Sequence, residues 1–281
     1  MIRDITLGQY YNTDSFLHRL DPRTKIIGTI VYLVTLFLYM NPYVYVFALL
    51  FLVLMIRKSN VPFKFMIRGL RGIAFIMIMT ALINIFTVPG DTLFMIGSFP
   101  VAKQGVRVAV YMIFRLSFLI IGSSLLTLTT PPVRLTDGLE RTFAFMKIFK
   151  VPVHDMAMMM SIALRFIPIL IEETNIIMKA QLSRGADFES GSILKRIKSL
   201  MPVIIPLFIG AFKKANDLAD AMDARCYRGG VKRSRMNPLK YRKGDYAAYA
   251  MLVLYAAAII SLGIYAKYLP FGNDILGIGA K

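Results

Sequence analysis

Apolar positions fall along this chain in long blocks rather than in alternation. Residues 26–56 carry no charge at all. A helix crossing a bilayer needs about 20 apolar residues, so this block is too long for one span and short for two. Asn41-Pro42 stands at its centre and is a turn signal. Arg19, Arg23 and Lys25 precede the block, and Arg57, Lys58, Lys64, Arg68 and Arg71 follow it. Cationic flanks face the cytoplasm, so the block reads as two spans joined by a tight hairpin. Further spans are expected over 72–90, about 106–133 (interrupted by Arg115) and 246–266. The intervening loop at 91–104 holds one Lys and one Asp, as suits the outer face. The charged N-terminal stretch ahead of the first block does not resemble a cleavable signal peptide. The pattern predicts five passes, with a cytoplasmic N-terminus and an extracellular C-terminus. Of the 34 Lys and Arg, all but Lys103, Arg107, Arg115, Lys267 and Lys281 then lie on the cytoplasmic side.

Between 133 and 245 the pattern changes from blocks to helical periodicity. Helices are expected at 136–149, 154–183 and 192–227, the last two roughly 45 and 54 Å long at 1.5 Å per residue. On the second, Ser161, Arg165, Pro168, Glu172 and Lys179 share a narrow polar stripe, opposite Met156, Met159, Met160, Ala163 and Ile167. On the third, Leu207, Ala211, Ala215, Leu218 and Met222 share one face. Its uncharged centre is too short to span, and Pro202 and Pro206 predict a kinked helix held against the membrane. Methionine-rich apolar faces suit partners that change, so Met156, Met159, Met160, Leu207 and Met222 are candidate contacts to a partner membrane protein or to lipid. Domains are accordingly expected at 1–133 (four spans), 134–244 (cytoplasmic-face helices) and 245–281 (last span and tail).

Both long helices end alike, with Ser183-Arg184-Gly185 and with Ala224-Arg225-Cys226, the arginines 41 residues apart. Ordinary helix stopping explains either one singly, since a cation favours the helix C-terminus and glycine the left-handed cap. The repetition points further, to two similar knobs held at opposite ends of a helical hairpin. Asp21-Pro22 reads as a plain N-terminal cap.

Composition narrows the chemistry. Hydrophobic residues make up 57%, charged residues 18%, and mean hydropathy is +0.60, against about 45–50% apolar and 25% charged in soluble chains. The net charge of +18 would suggest nucleic acid in a soluble protein; here it belongs to cytoplasmic loops, and no nucleic-acid partner is expected. Cys226 is the single cysteine, and His18 and His154 are the two histidines, which leaves no disulfide framework and little material for a metal centre. No cofactor is expected. There is no Gly-x-x-x-x-Gly-Lys-[Ser/Thr] loop, so ATP chemistry would lie in another chain. A membrane-embedded enzyme is the first alternative, but the spans hold no carboxylate or histidine, leaving only a cytoplasmic-face set of His154, Asp155, Glu172 and Glu173. A conventional ABC permease is the second, poorly supplied with polar lining because Arg115 is the one charge deep in a span. Arg115 is expected to meet Ser117, a backbone carbonyl or a lipid headgroup.

Four segments, in order, resemble the transmembrane T component (EcfT) of energy-coupling factor (ECF) transporters, ABC-type importers of vitamins or transition-metal ions. They begin Ser15-Phe16-Leu17-His18, Ala180-Gln181-Leu182-Ser183, Met201-Pro202-Val203 and Met222-Asp223-Ala224, and the resemblance runs from about residue 10 to 268. It implies an all-α integral membrane protein of about five transmembrane helices plus three cytoplasmic-face helices, two of them long coupling helices. It also implies a non-catalytic transport subunit in the bacterial cell membrane, joined to two ABC ATPase subunits and a small substrate-binding membrane subunit. The family's two Ala-Arg-Gly-like ATPase-docking motifs map onto Ser183, Arg184, Gly185 and onto Ala224, Arg225, Cys226. Ser183 is a small replacement for Ala. Cys226 in place of Gly argues against a left-handed backbone there.

Overall fold

The computed structural model describes residues 10–96, 99–188, 192–227 and 239–265. Its helices are α1 (Phe16–Arg19), α2 (Pro22–Leu38), α3 (Pro42–Ser59), α4 (Phe63–Thr87), α5 (Lys103–Thr129), α6 (Pro132–Thr142), α7 (Val153–Ser183), α8 (Ile193–Ala224) and α9 (Lys243–Tyr265), with a 3-10 turn at Phe143–Phe149. The chain is an all-α membrane protein with one addition. The loop expected at 91–104 contains an antiparallel hairpin of β1 (Thr92–Ile96) and β2 (Phe99–Ala102). Between the Pro89-Gly90 break and α5 the β-branched and aromatic residues present favour a strand pair.

Among the described residues five helices are long and apolar enough to cross a membrane: α3, α4, α5, α7 and α9. This set differs from the expected one. With 17 residues, α2 rises about 25 Å, somewhat less than the roughly 30 Å hydrocarbon core, whereas α7 meets the length requirement despite its charged stripe. The Asn41-Pro42 hairpin is built as the sequence suggests: the Asn41 side chain accepts the Tyr43 N–H at 3.0 Å, and Pro42 occupies the first helical turn.

The chain divides into two compact units. The described part of the first holds α1 to α6, the hairpin and α9. Its core gathers Tyr32 and Leu36 of α2, Tyr45 and Leu52 of α3, Phe118 and Ile121 of α5, and Tyr255 and Ile259 of α9. The Tyr255 ring stacks on Phe51 with centroids 4.1 Å apart, and its hydroxyl lies 3.0 Å from Thr35 Oγ1. Gly122 lets α5 approach Tyr32, since a Cβ there would sit 2.6 Å from the ring. Among the described residues Arg115 meets neither Ser117 nor a backbone carbonyl. Its Nε donates to the Tyr45 hydroxyl at 2.8 Å and its guanidinium stands over the Phe37 ring at 5.2 Å, while Ser117 Oγ donates to the Ile113 carbonyl. Phenol and ring give a half-buried cation local partners that the sequence pattern did not reveal.

The Asp21 to Lys25 stretch does more than cap. Asp21 accepts the Arg23 backbone N–H at 2.9 Å and both Arg23 Nε and Nη2. Burial works against this carboxyl's charge, but the Arg23 contacts outweigh it and hold its pKa below the ordinary value. The first turn of α2 is in turn held by Asp245 of α9, which is fully buried. Asp245 Oδ1 accepts the Asp21 N–H at 2.7 Å and the Thr24 hydroxyl at 3.2 Å, and Oδ2 accepts the Arg242 N–H at 2.7 Å. Lys25 Nζ donates to the Thr129 carbonyl at 2.8 Å and to Thr130 Oγ1 at 3.3 Å. One knot thus ties the start of α2 to the start of α9 and the end of α5.

The second unit holds the 3-10 turn, α7 and α8. Glu173 of α7 forms an ion pair with Lys214 of α8, and Gln181 Nε2 makes a long 3.5 Å contact to the Pro202 carbonyl. Earlier residues of α7 meet later residues of α8, so the pair is antiparallel. The Gln181 contact has a local cause: Pro206 lacks an N–H, which frees the carbonyl four residues back, that of Pro202. Val203, Leu207, Gly210, Ala211, Lys214, Leu218 and Met222 form the least exposed stripe of α8, and Gly210 sits against the Glu173 carboxylate.

Candidate functional site

Two helix termini carry the candidate residues, and they close in the same way. At the end of α7 the Gly185 N–H donates to the Leu182 carbonyl at 2.9 Å, and the Ala186 N–H to the Gln181 carbonyl at 3.0 Å. At the end of α8 the Cys226 N–H donates to the Asp223 carbonyl at 2.9 Å, and the Tyr227 N–H to the Met222 carbonyl at 3.0 Å. Each is the double closure of a Schellman motif, which needs a left-handed residue just past the cap. Gly185 has φ +85° and Cys226 has φ +54°. The expectation that Cys226 disfavours a left-handed backbone is therefore corrected. The paired closing bonds impose the conformation, and the side chain bears a cost of about 1–2 kcal/mol.

Arg184 and Arg225 occupy the identical position in these motifs, the residue joining helix to closure. Their backbones agree closely, with φ −89° and ψ 6° at Arg184 and φ −91° and ψ 14° at Arg225. Ser183, Arg184, Gly185, Ala224, Arg225 and Cys226 are all exposed. Ser183 Oγ turns back to the Lys179 carbonyl at 3.1 Å, so its hydroxyl is satisfied within the helix. The two termini are not brought together. Gln181 is level with Pro202 in an antiparallel pair, so the path along α8 from that level to Arg225 is about 35 Å. Each guanidinium offers its fork of donors at a separate end of the unit.

The candidate contact residues fall into two groups. Met156, Met159 and Met160 are exposed on α7, whereas Leu207 and Met222 lie on the half-buried stripe of α8. Sequence reasoning passed over the broadest apolar face of α8, made by Ile204, Ile205, Phe208, Ile209 and Phe212, all exposed. Their helical spacing was the available signal. The cytoplasmic-face set for an enzyme does not converge: His154 and Glu172 are separated by about 27 Å of helix, and Glu173 is engaged by Lys214. Among the described residues no group of His, Cys, Asp or Glu could hold a metal ion.

A family profile described as "Cobalt transport protein" (CbiQ) matches residues 13–238. The chain is 48% identical to the energy-coupling factor transporter transmembrane protein EcfT of Ruminiclostridium cellulolyticum over 260 residues, covering 92% of this chain and 97% of that protein. It is 46% identical to EcfT of Thermosediminibacter oceani (92% and 98% covered) and 41% identical to EcfT of Bacillus subtilis (93% and 99% covered).

Proposed function

Because this chain belongs to the EcfT family of energy-coupling factor transporter transmembrane proteins, we propose that it joins two cytoplasmic ABC ATPases to a separate membrane subunit that binds a vitamin or other micronutrient. It carries no catalytic residue in this reading; ATP is hydrolysed by the partners, and their motion passes through α7 and α8. The observation that carries the reading is the matched pair of arginine-bearing helix ends. Two like knobs at opposite ends of one rigid pair suit two like grooves on a two-fold ATPase dimer. The exposed faces bearing Met156, Met159 and Met160, and Ile204 to Phe212, are proposed to meet the substrate-binding subunit or lipid. Leu207 and Met222 contribute at the edge of that surface.

The N-terminus and both arginine motifs are assigned to the cytoplasm and the C-terminus to the outside, on the distribution of Lys and Arg. Cys226, the single cysteine and an exposed one, tests this. In cells that make this chain without its ATPase partners, a membrane-impermeant maleimide should label it only after cells are opened, and labelling in intact cells would refute the orientation. The partners are tested by purifying the tagged chain from its native membrane and identifying what accompanies it. Two ABC ATPase subunits and a small membrane protein are expected; recovery of neither would end the reading.

A further inference from the structure

On α4, Lys64, Arg68 and Arg71 recur at helical spacing, and Phe75, Ile78 and Leu82 continue the series. At 100° per residue all six lie within about 80° of one another. One stripe of the helix therefore carries cations over its first turns and hydrocarbon beyond them. Every member is exposed, Phe75 to 73%. The opposite face is the one that packs. Met66 and Ala81 are buried there, and a Cβ on Gly69 would stand 3.3 Å from Ile120 and Ser124 of α5. The stripe points away from the core of its own unit.

Among the described residues no carboxylate offsets these cations. None of the three takes part in an ion pair, and Arg68 has only the Phe65 ring at 5.5 Å. From residue 22 to residue 90 the sequence contains no Asp or Glu. Arg57 and Lys58, also exposed, add to the same corner from the end of α3. The corner is stiff. Asn60 turns with φ +53°, and the buried Ser59 hydroxyl donates to the Ile56 carbonyl at 2.7 Å and accepts the Val61 N–H at 3.2 Å. Lys64 and Arg68, one turn apart, repel each other unless an anion stands between them.

From these features we infer that the α4 stripe binds anionic phospholipid of the cytoplasmic leaflet. The phosphate lies against Lys64, Arg68 and Arg71, and an acyl chain runs along Phe75, Ile78 and Leu82. Two observations favour lipid over an acidic soluble protein. The cations pass directly into exposed hydrocarbon on the same face, which a water-soluble surface would leave unmatched. The path from Arg71 to Leu82 is about 16 Å, close to one leaflet of a hydrocarbon core roughly 30 Å thick. The two arginines also suit phosphate through their paired donors, and cations at a bilayer surface favour anionic lipid.

The chain contains no Trp, so Phe75→Trp supplies a single fluorophore on the stripe. The full chain carrying it is placed in phosphatidylcholine nanodiscs without any ATPase, which keeps the outcome separate from the coupling reading. A minor share of the lipid is replaced by brominated phosphatidylglycerol, or by the same share of brominated phosphatidylcholine. Bromine quenches at short range, so the ratio of the two responses measures local enrichment. Phosphatidylglycerol should be enriched about fivefold at Phe75→Trp and hardly at all at Leu254→Trp, an exposed position on α9. Combining Lys64→Gln, Arg68→Gln and Arg71→Gln should bring the ratio at Phe75→Trp to about one. Salt near 1 M, where the Debye length falls to about 3 Å, should weaken the preference without those changes. Equal quenching by the two lipids at Phe75→Trp would overturn the inference. So would a preference that survives the triple Gln change, one that salt leaves untouched, or one of the same size at Leu254→Trp.

Discussion

Changing Arg184 and Arg225 together to Ala is expected to abolish ATP-driven uptake and ATPase association while the membrane fold survives. Both side chains are exposed, and the closure at each helix end is made by backbone groups of neighbouring residues, so truncation removes little that this chain uses for itself. In the complex each guanidinium would insert into an ATPase groove against acidic or carbonyl groups. Removing one partner of such a desolvated contact costs about 2–5 kcal/mol, much of it from the group left unpaired. Each ATPase contact then weakens by about 30- to 5,000-fold, enough to dissociate a complex of micromolar affinity. Arg-to-Lys replacements should restore function only in part, because an ammonium keeps the charge but lacks the planar fork. Thermal unfolding in detergent should match the parent. A double Ala variant that transports normally would leave helix stopping as the whole account of both arginines.

The second large effect concerns stability. Asp245→Ala should destabilise the first unit by roughly 3–5 kcal/mol, since it strands the backbone N–H groups of Asp21 and Arg242 and the Thr24 hydroxyl. For a chain of this size that corresponds to a melting temperature lower by about 10 °C. Asp245→Asn should recover part of the loss, because its carbonyl oxygen still accepts from Asp21 and Thr24 while its amide faces the Arg242 N–H. A melting curve for the Ala variant that overlays the parent would show that the knot at the start of α2 does not hold the bundle together.

The sequence made the helices legible where charge or proline ends an apolar block. Asn41-Pro42, the Arg57-Lys58 pair and Pro152 each mark a boundary within a few residues of the observed one. It also revealed the two arginine motifs, because their residue types repeat. What it hid depends on distant partners or on cooperative closure. Asp245 looked like one more charge flanking the last span, and its partners Asp21 and Thr24 lie 224 and 221 residues away. Arg115 found Tyr45 across 70 residues. At Cys226 residue propensity pointed away from a left-handed backbone, and two backbone hydrogen bonds overrode it. The β-hairpin escaped notice because the 14-residue stretch at 91–104 reads as loop by charge alone. On α8 the prolines drew attention to a kink, while the exposed face from Ile204 to Phe212 followed ordinary helical spacing.

The central claim is that one ATPase docks on each arginine, and native mass spectrometry of the intact complex measures it most directly. The parent complex should carry two ATPase subunits per copy of this chain. Arg184→Ala alone and Arg225→Ala alone should each yield a species lacking one ATPase, and the two variants should lose different subunits where the two ATPases differ in mass. Retention of both ATPases by each single variant, or loss of both from either one, would contradict independent docking at two separate helix ends.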